Sequence, residues 1–253
     1  MSLSNFKAVF LDLFDTLVTV EMDQTQAFEG LFSGLADQGF DLPHDKFKSK
    51  YLSCRENLRV RSLVSLKEYT NSIAITEAMK ECGIQVELCD QILRHAVDFQ
   101  FEPFVRNTRL MPGALDLLKF ASKSSAIGII TNFTYAPVVS RVLHFLRIDS
   151  YLQDVTISHE VGYRKPHEKI FRTALASLRC EAKDSVMIGD SLTEDIVGAK
   201  HVGMHAFLFL KNNKLIETAA KNIVPDKVID SLVDLMESTH STQDRHKSIV
   251  ASN

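Results

Sequence analysis

The sequence predicts an α/β protein: a three-layer core built on a parallel sheet, with a helical bundle inserted into it. Three observations carry this. Short apolar runs at 8–11, 126–130, 186–188 and 206–210 have the length and composition of strands buried on both faces. Between the later runs the apolar spacing turns helical, and alternation of that kind gives parallel strands covered on both sides. The stretch between the first two runs shows helical stripes alone, over about ninety residues, which marks an insertion.

The elements follow in chain order. Phe28, Leu31, Phe32 and Leu35 form a stripe that stops at Gly39, a suitable C-terminal cap. Phe47, Tyr51, Cys54 and Leu58 form a second after Pro43. Leu66, Tyr69, Ile73 and Met79 form a third ended by Gly83, and Leu88, Ile92, Leu93, Ala96 and Val97 a fourth. Four amphipathic helices with short connections close a small core of their own, so these stripes read as packing rather than cofactor contacts. After Met111, Pro112 suits the first position of a helix burying Leu115, Leu118 and Phe120. The strand at 126–130 ends in Thr131-Asn132. A helix at 138–146, a strand at 155–157 and a helix from Pro166 to Leu178 come next. The strand at 186–188 ends in Gly189-Asp190. A helix from Asp195 to Val202 stops at Gly203, a strand follows at 206–210, and Val228-Ile229 makes a short edge strand before a last helix through Met236. The expected division is a core of 1–18 with 109–237, an insertion of 19–108, and a poorly ordered tail at 238–253, rich in Ser, Thr, His and Lys.

Composition removes several function classes. The chain has 253 residues, 45% hydrophobic and 24% charged, which suits one large domain or two unequal ones. Its net charge of −3 (29 basic against 32 acidic residues) gives no general attraction to nucleic acid or an anionic membrane. No apolar run approaches the roughly 18 residues of a spanning helix. No basic stretch followed by an apolar core opens the chain, so a signal peptide is not expected and a cytoplasmic location is. Cys54, Cys82, Cys89 and Cys180 form no CxxC pair and read as reduced thiols.

The chemistry concentrates at strand ends. Asp12 follows Ala8-Val9-Phe10-Leu11 and sits where open α/β sheets place their ligands. A carboxylate there is costly to desolvate unless paired, bound to a cation or used. Thr131-Asn132 offers a hydroxyl and turn N–H groups to an anionic oxygen, or simply caps a helix. Lys165, just before a helix opened by Pro166, projects a compact charge that would neutralise clustered carboxylates and a phosphate. Asp190 and Asp195, with Asp12, make an oxygen-rich cage of the kind Mg²⁺ prefers. Glu194 reads as a helix-capping acid.

In order and spacing these pieces resemble the haloacid dehalogenase-like hydrolases. The resemblance covers 8–18 and about 110–236, with the helical insertion at that family's first cap position. Leu11-Asp12-Leu13-Phe14-Asp15-Thr16-Leu17 matches the family's Asp-x-Asp-x-Thr-Leu, and Thr131 its second motif. Lys165-Pro166 matches the third, and Gly189-Asp190-Ser191-x-x-x-Asp195 the fourth. The resemblance implies a Rossmann-like core and a covalent mechanism in which Asp12 is the nucleophile. It further implies Mg²⁺ held by Asp12, the Phe14 carbonyl and Asp190, with Asp195 orienting metal waters or Lys165. Thr131, with Asn132 beside it, and Lys165 would bind the transferring phosphoryl group of a small phosphorylated metabolite. Neither a monomer nor a homodimer is favoured.

The chain departs from the family's phosphatases at Phe14, where they carry a second Asp as general acid and base. Asp15 comes one residue too late, and in an extended segment it would face away from Asp12. A positioned acid contributes about 10²–10⁴-fold in rate. A 2-haloacid dehalogenase also lacks that acid, but Asp190, Leu192 and Phe171 depart from that branch. A non-catalytic module that binds a phosphorylated ligand is the remaining alternative. Arg55, Arg59, Arg61, Lys67 and His95 of the insertion are read as solvated helix faces before they are read as substrate contacts.

Overall fold

The computed structural model describes residues 1–84, 90–210 and 224–236. Among these the strands are β1 (Ala8–Leu11), β2 (Val18–Val20), β3 (Thr108–Leu110), β4 (Ala126–Thr131), β5 (Asp154–Ile157), β6 (Ser185–Gly189), β7 (His205–Phe209) and β8 (Lys227–Ile229). Six of them form one sheet in the order β5-β4-β1-β6-β7-β8, parallel throughout.

Alternate residues of each strand feed two separate cores. Val9, Leu11, Ile127, Ile129, Val186 and Ile188 face helices α5 (Ala114–Ala121) and α6 (Ala136–Phe145). Ala8, Phe10, Ile130, Met187 and Leu208 face α8 (Glu168–Ser177) and α9 (Val197–His201), which follow the single-turn α7 (Ser158–Val161). A strand buried on both sides has no polar alternation to show, which is why these stretches read as unbroken apolar runs. The register sets Leu11 level with Ile129 on one side and Ile188 on the other, and the N–H of Asp12 donates to the Ile188 carbonyl at 2.9 Å. Asp12, one residue past this level, and Thr131 and Asp190, two residues past it, therefore emerge together at the carboxyl edge of the sheet.

The insertion contains α1 (Gln24–Asp37), α2 (His44–Ser65), α3 (Asn71–Glu81) and α4 (Asp90–Arg106). Phe28, Leu31, Phe47, Tyr51, Ile75, Met79, Ala96 and Val97 bury one another there, away from the sheet's cores. Helices α1 and α4 meet closely because Gly30 and Gly34 carry no side chain. A Cβ on Gly30 would collide with the Phe99 carbonyl, and one on Gly34 with the Cα of Ala96. A buried polar chain threads the bundle. Gln100 donates to the Tyr51 hydroxyl at 2.7 Å, Asn71 donates to Gln100 at 3.1 Å, and Thr134 of the core donates to Asn71 at 2.6 Å. The segment after α2 reaches the core as well: the N–H of Arg164 donates to the Leu66 carbonyl at 2.9 Å and the N–H of Glu68 to the Gly162 carbonyl at 3.1 Å. The hydroxyl of Ser158 donates to Glu68 at 2.6 Å. The bundle is thus seated on the two loops that follow β4 and precede α8.

Several local expectations change. Strands β2 and β3 pair antiparallel where only helical pattern was read, with Val18 opposite Leu110, and form the neck through which the chain leaves and re-enters the core. Helix α5 starts at Ala114 behind Gly113 (φ +79°), not at Pro112. Its sheet-facing stripe is Ala114-Leu117-Leu118-Ala121, which leaves Leu115 and Phe120 half-buried. Helix α8 starts at Glu168, where the His167 ring accepts from the Lys169 N–H, so Pro166 lies outside it. Residues 192–196 form a wide π turn ahead of α9, and 232–235 form a 3₁₀ turn rather than a helix. In the third stripe Leu66 ends α2 in a left-handed conformation and Ile73 is exposed, so α3 buries Ala74, Ile75, Ala78 and Met79 instead. Leu88, Cys89 and the tail from 238 lie outside the described residues. Among the described residues, no helix is long and apolar enough to cross a membrane.

Candidate active site

The carboxyl edge of β1, β4 and β6 opens into a cavity of about 240 Å³ lined by Asp12, Thr131, Asn132, Lys165, Asp190 and Asp195, together with Phe14, Asp15, Arg164, Ser191 and Glu194. All seven residues singled out from the sequence are therefore brought to one place.

Lys165 is the hub. Its side chain is buried, and its ammonium donates to Asp12 Oδ1 at 2.5 Å, Asp195 Oδ1 at 2.6 Å and the Ile130 carbonyl at 2.8 Å. An ammonium has three donors, and here all three are spent. The backbone that carries it is clamped by Asn132, whose Oδ1 accepts from the Lys165 N–H at 2.7 Å and whose Nδ2 donates to the Lys165 carbonyl at 3.3 Å. Asn132 thus holds the lysine loop while its neighbour Thr131, buried at the end of β4, lines the cavity.

The carboxylates are held differently. Asp195 uses both oxygens, Oδ1 on Lys165 and Oδ2 on the Ser191 N–H at 3.0 Å. It packs over the end of β6 in the space left by Gly189, where a Cβ would overlap its carboxylate. Asp190 accepts a long side-chain hydrogen bond from the Thr16 hydroxyl at 3.4 Å. One oxygen from each of Asp12, Asp190 and Asp195 lies within 4.8 Å of the others. Three carboxylates share one ammonium, which leaves two negative charges unmatched. Burial, opposed by Lys165 and reinforced by Asp195 and Asp190, pushes the Asp12 carboxyl up to about 7. Burial, with Asp195 and Asp15 adding to it, pushes Asp190 up to about 6. Burial alone would lower the Lys165 ammonium, but Asp12 and Asp195 outweigh it and hold it above the ordinary lysine range. An all-oxygen set with two surplus negative charges fits a hard divalent cation. Asp12 and Asp190 are the side chains that would hold it, because Asp195 is already committed twice.

Two side chains occupy roles that the sequence did not suggest. Glu194 is no simple capping acid: its carboxylate accepts from Asn132 Nδ2 at 3.0 Å and from Arg164 at 3.4 Å. Asp15 does not turn away from the site, because the chain is not extended there. At φ +64° the turn swings it to the cavity wall, where its charge acts on Asp190. Phe14 lines the cavity with a ring stacked on Phe133 (centroids 5.0 Å apart) and edge-on to Phe104 (5.3 Å). None of Arg55, Arg59, Arg61, Lys67 and His95 lines the cavity. Arg59 pairs with Glu56, and Arg55 and Arg61 lie over the rings of Tyr51 and Tyr69.

Comparison with known proteins identifies the fold family. The profile of the haloacid dehalogenase-like hydrolases matches residues 6–203. The chain belongs to this family. Among curated relatives of this hydrolase is a glyceraldehyde 3-phosphate phosphatase from Methanothermobacter thermautotrophicus, 29% identical over 236 residues, which span 91% of this chain and 98% of that one. Among solved structures, the HAD-hydrolase YfnB of Bacillus subtilis bound to magnesium superposes with a TM-score of 0.59 at 22% identity, covering 91% and 97% of the two chains. A 2-haloacid dehalogenase from Pseudomonas syringae pv. Tomato superposes with a TM-score of 0.65 at 23% identity, covering 91% and 96%. Both structural likenesses speak to the fold of this hydrolase rather than to its substrate.

The raised carboxyls have a consequence for stability. In the unfolded chain these groups ionise near the ordinary value of 3.8, while in the fold they keep their protons to about 6 and 7. Between those limits the folded state binds more protons, so the stability of the metal-free protein falls as pH rises. A divalent cation held by Asp12 and Asp190 would bind the ionised pair, so its stabilising effect would grow over the same window. Thermal melts with and without Mg²⁺ should show a larger upward shift at about pH 7.5 than at about pH 5. Equal shifts would mean that Asp12 and Asp190 are not the cation's ligands.

Proposed function

We propose that the chain is a Mg²⁺-dependent phosphatase of small phosphorylated metabolites, working through a phosphorylated Asp12. The observation that carries this reading is Asp190: a half-buried acid beside Asp12, short of a cation, which a dehalogenase site has no use for. The near full-length likeness to a glyceraldehyde 3-phosphate phosphatase supports it, as does the magnesium bound in YfnB.

In this mechanism Thr131 and the turn N–H groups after β4 receive the phosphoryl oxygens. Asp12 attacks phosphorus in line, the ester oxygen departs with the bond's electron pair, and water then cleaves the acyl phosphate to free Asp12. Lys165 favours the ionised form of Asp12 against the burial that opposes it, and exchanges its Asp12 contact for a phosphoryl oxygen as the carboxylate is consumed. Asn132 and Asp195 position Lys165. The cation, when bound, would screen the repulsion between carboxylate and phosphate. The helical cap, seated on the loops that carry Thr131 and Lys165, would shield the reaction from bulk water.

The decisive test is hydrolysis of p-nitrophenyl phosphate, whose leaving group departs without a proton donor. Mg²⁺-dependent release that disappears in Asp12→Asn supports the reading. Chloride release from a 2-chloroacid without metal would instead establish the dehalogenase, and no turnover of either would establish a binding module.

Phe14 leaves the departing alkoxide without a proton donor, so turnover should favour esters with acidic leaving groups. Phe14→Asp should raise kcat on alkyl phosphates by about 10-fold or more, within the range of general acid catalysis. It should also cost about 1–3 kcal/mol of stability, because two ring pairs are lost. Unchanged or lower turnover in a folded variant would mean that another group already serves as the acid.

A further inference from the structure

We infer that Arg164 is a specificity residue that binds a second anionic group on the substrate, a carboxylate or phosphate beyond the one being transferred. The inference rests on the phosphatase reading for what occupies the rest of the cavity.

Two cations line the cavity among the described residues, Lys165 and Arg164. The three donors of Lys165 are all engaged with Asp12, Asp195 and the Ile130 carbonyl. Arg164 is the opposite case. Its side-chain hydrogen bond is one long contact, from Nη2 to Glu194 at 3.4 Å. Its Nε is buried and meets no acceptor. An unmade hydrogen bond at a buried donor is costly and calls for a partner. A guanidinium is a planar fork that matches a carboxylate or phosphate through two parallel hydrogen bonds, and a small rotation about its last torsions would present Nε and one Nη together.

The surroundings aim this fork, with Glu194 as its long-range counter-charge at 3.4 Å. Glu194, the residue against which Arg164 rests, is itself held by Asn132 Nδ2 at 3.0 Å, and Asn132 holds the Lys165 backbone. The fork is therefore fixed relative to the phosphoryl site through one short chain of contacts. On its other side, the backbone N–H of Arg164 donates to the Leu66 carbonyl of the cap at 2.9 Å. Arg164 thus stands where the core's phosphoryl pocket meets the cap, the direction in which the remainder of a substrate must extend.

The test compares 3-phosphoglycerate with glycerol 3-phosphate, which share the phosphate and the three-carbon frame and differ at the carboxylate. Binding is measured by calorimetry with Mg²⁺ in an Asp12→Asn background, so that nothing is turned over. The expected result is tighter binding of 3-phosphoglycerate by about 10- to 100-fold, the size of one charge-assisted pair. Arg164→Ala should erase that preference. Arg164→Lys, which keeps the charge but not the fork, should keep less than about a third of it. A melting curve checks that each variant folds, and Arg164→Lys carries the test if Arg164→Ala does not. A preference that survives both substitutions overturns the inference. So does equal weakening of both ligands, which would place Arg164 on the transferred phosphate. The phosphatase reading fails on its own separate sign, the absence of any Mg²⁺-dependent hydrolysis of p-nitrophenyl phosphate by the wild-type chain.

Discussion

Replacing Asp12 by Asn should reduce turnover of phosphate esters by roughly 10⁴–10⁶-fold, the scale on which loss of a nucleophile is felt. The amide keeps the shape of the carboxylate but cannot attack phosphorus. The fold should survive, and at neutral pH the metal-free variant should melt at the same temperature or higher. Burial, reinforced by Asp195 and Asp190, pushes the Asp12 carboxyl up to about 7, so a neutral isostere relieves a cost that the wild-type protein carries. Lys165 retains Asp195 and the Ile130 carbonyl as partners. Activity and melting temperature moving in opposite directions is the signature of a residue kept for chemistry at the expense of stability. A variant that keeps more than roughly one per cent of activity would remove Asp12 as nucleophile, since water alone does not supply that rate.

Lys165→Met should have the largest effect on folding. The side chain is 2% exposed and bonds two carboxylates that have no other cation at that distance among the described residues. Breaking a buried ion pair from one side costs about 3–5 kcal/mol, because the stranded charge remains desolvated. Here two acids are stranded, so the loss should sit at the upper end at about pH 7.5. It should shrink at about pH 5, where Asp12, its carboxyl pushed up by burial, protonates instead. Urea denaturation at the two pH values measures this directly. Adding Asp12→Asn should return part of the stability, a coupling that a double-mutant cycle reads. A pH-independent loss would mean that the lysine acts by filling space rather than by its charge.

How far the site was legible in the sequence follows from how each residue is placed. Asp12, Thr131 and Asp190 end buried strands, so a run of apolar residues points at them, and their register brings them together. Lys165 and Asp195 were legible by their spacing from those strands. Arg164 and Glu194 were not, because what matters is a contact between residues thirty positions apart and another to Asn132, sixty-two positions away. Asp15 was misjudged for a backbone reason: extended alternation fails at a residue with positive φ. The neck strands β2 and β3 are three residues each, too short for periodicity to register. The helix α5 expected from Pro112 starts two residues later because Gly113, at φ +79°, lies outside the helical region.

The polar chain from Tyr51 through Gln100 and Asn71 to Thr134 bears on how the cap moves. Greasy surfaces slide past one another with little penalty, whereas directional bonds work like the wards of a lock and accept one seat. A cap displaced from this seat would lose the Thr134–Asn71 bond, which is made three residues after Thr131 on the same loop. The seat of the cap and the shape of the phosphoryl pocket are thus fixed by one set of bonds.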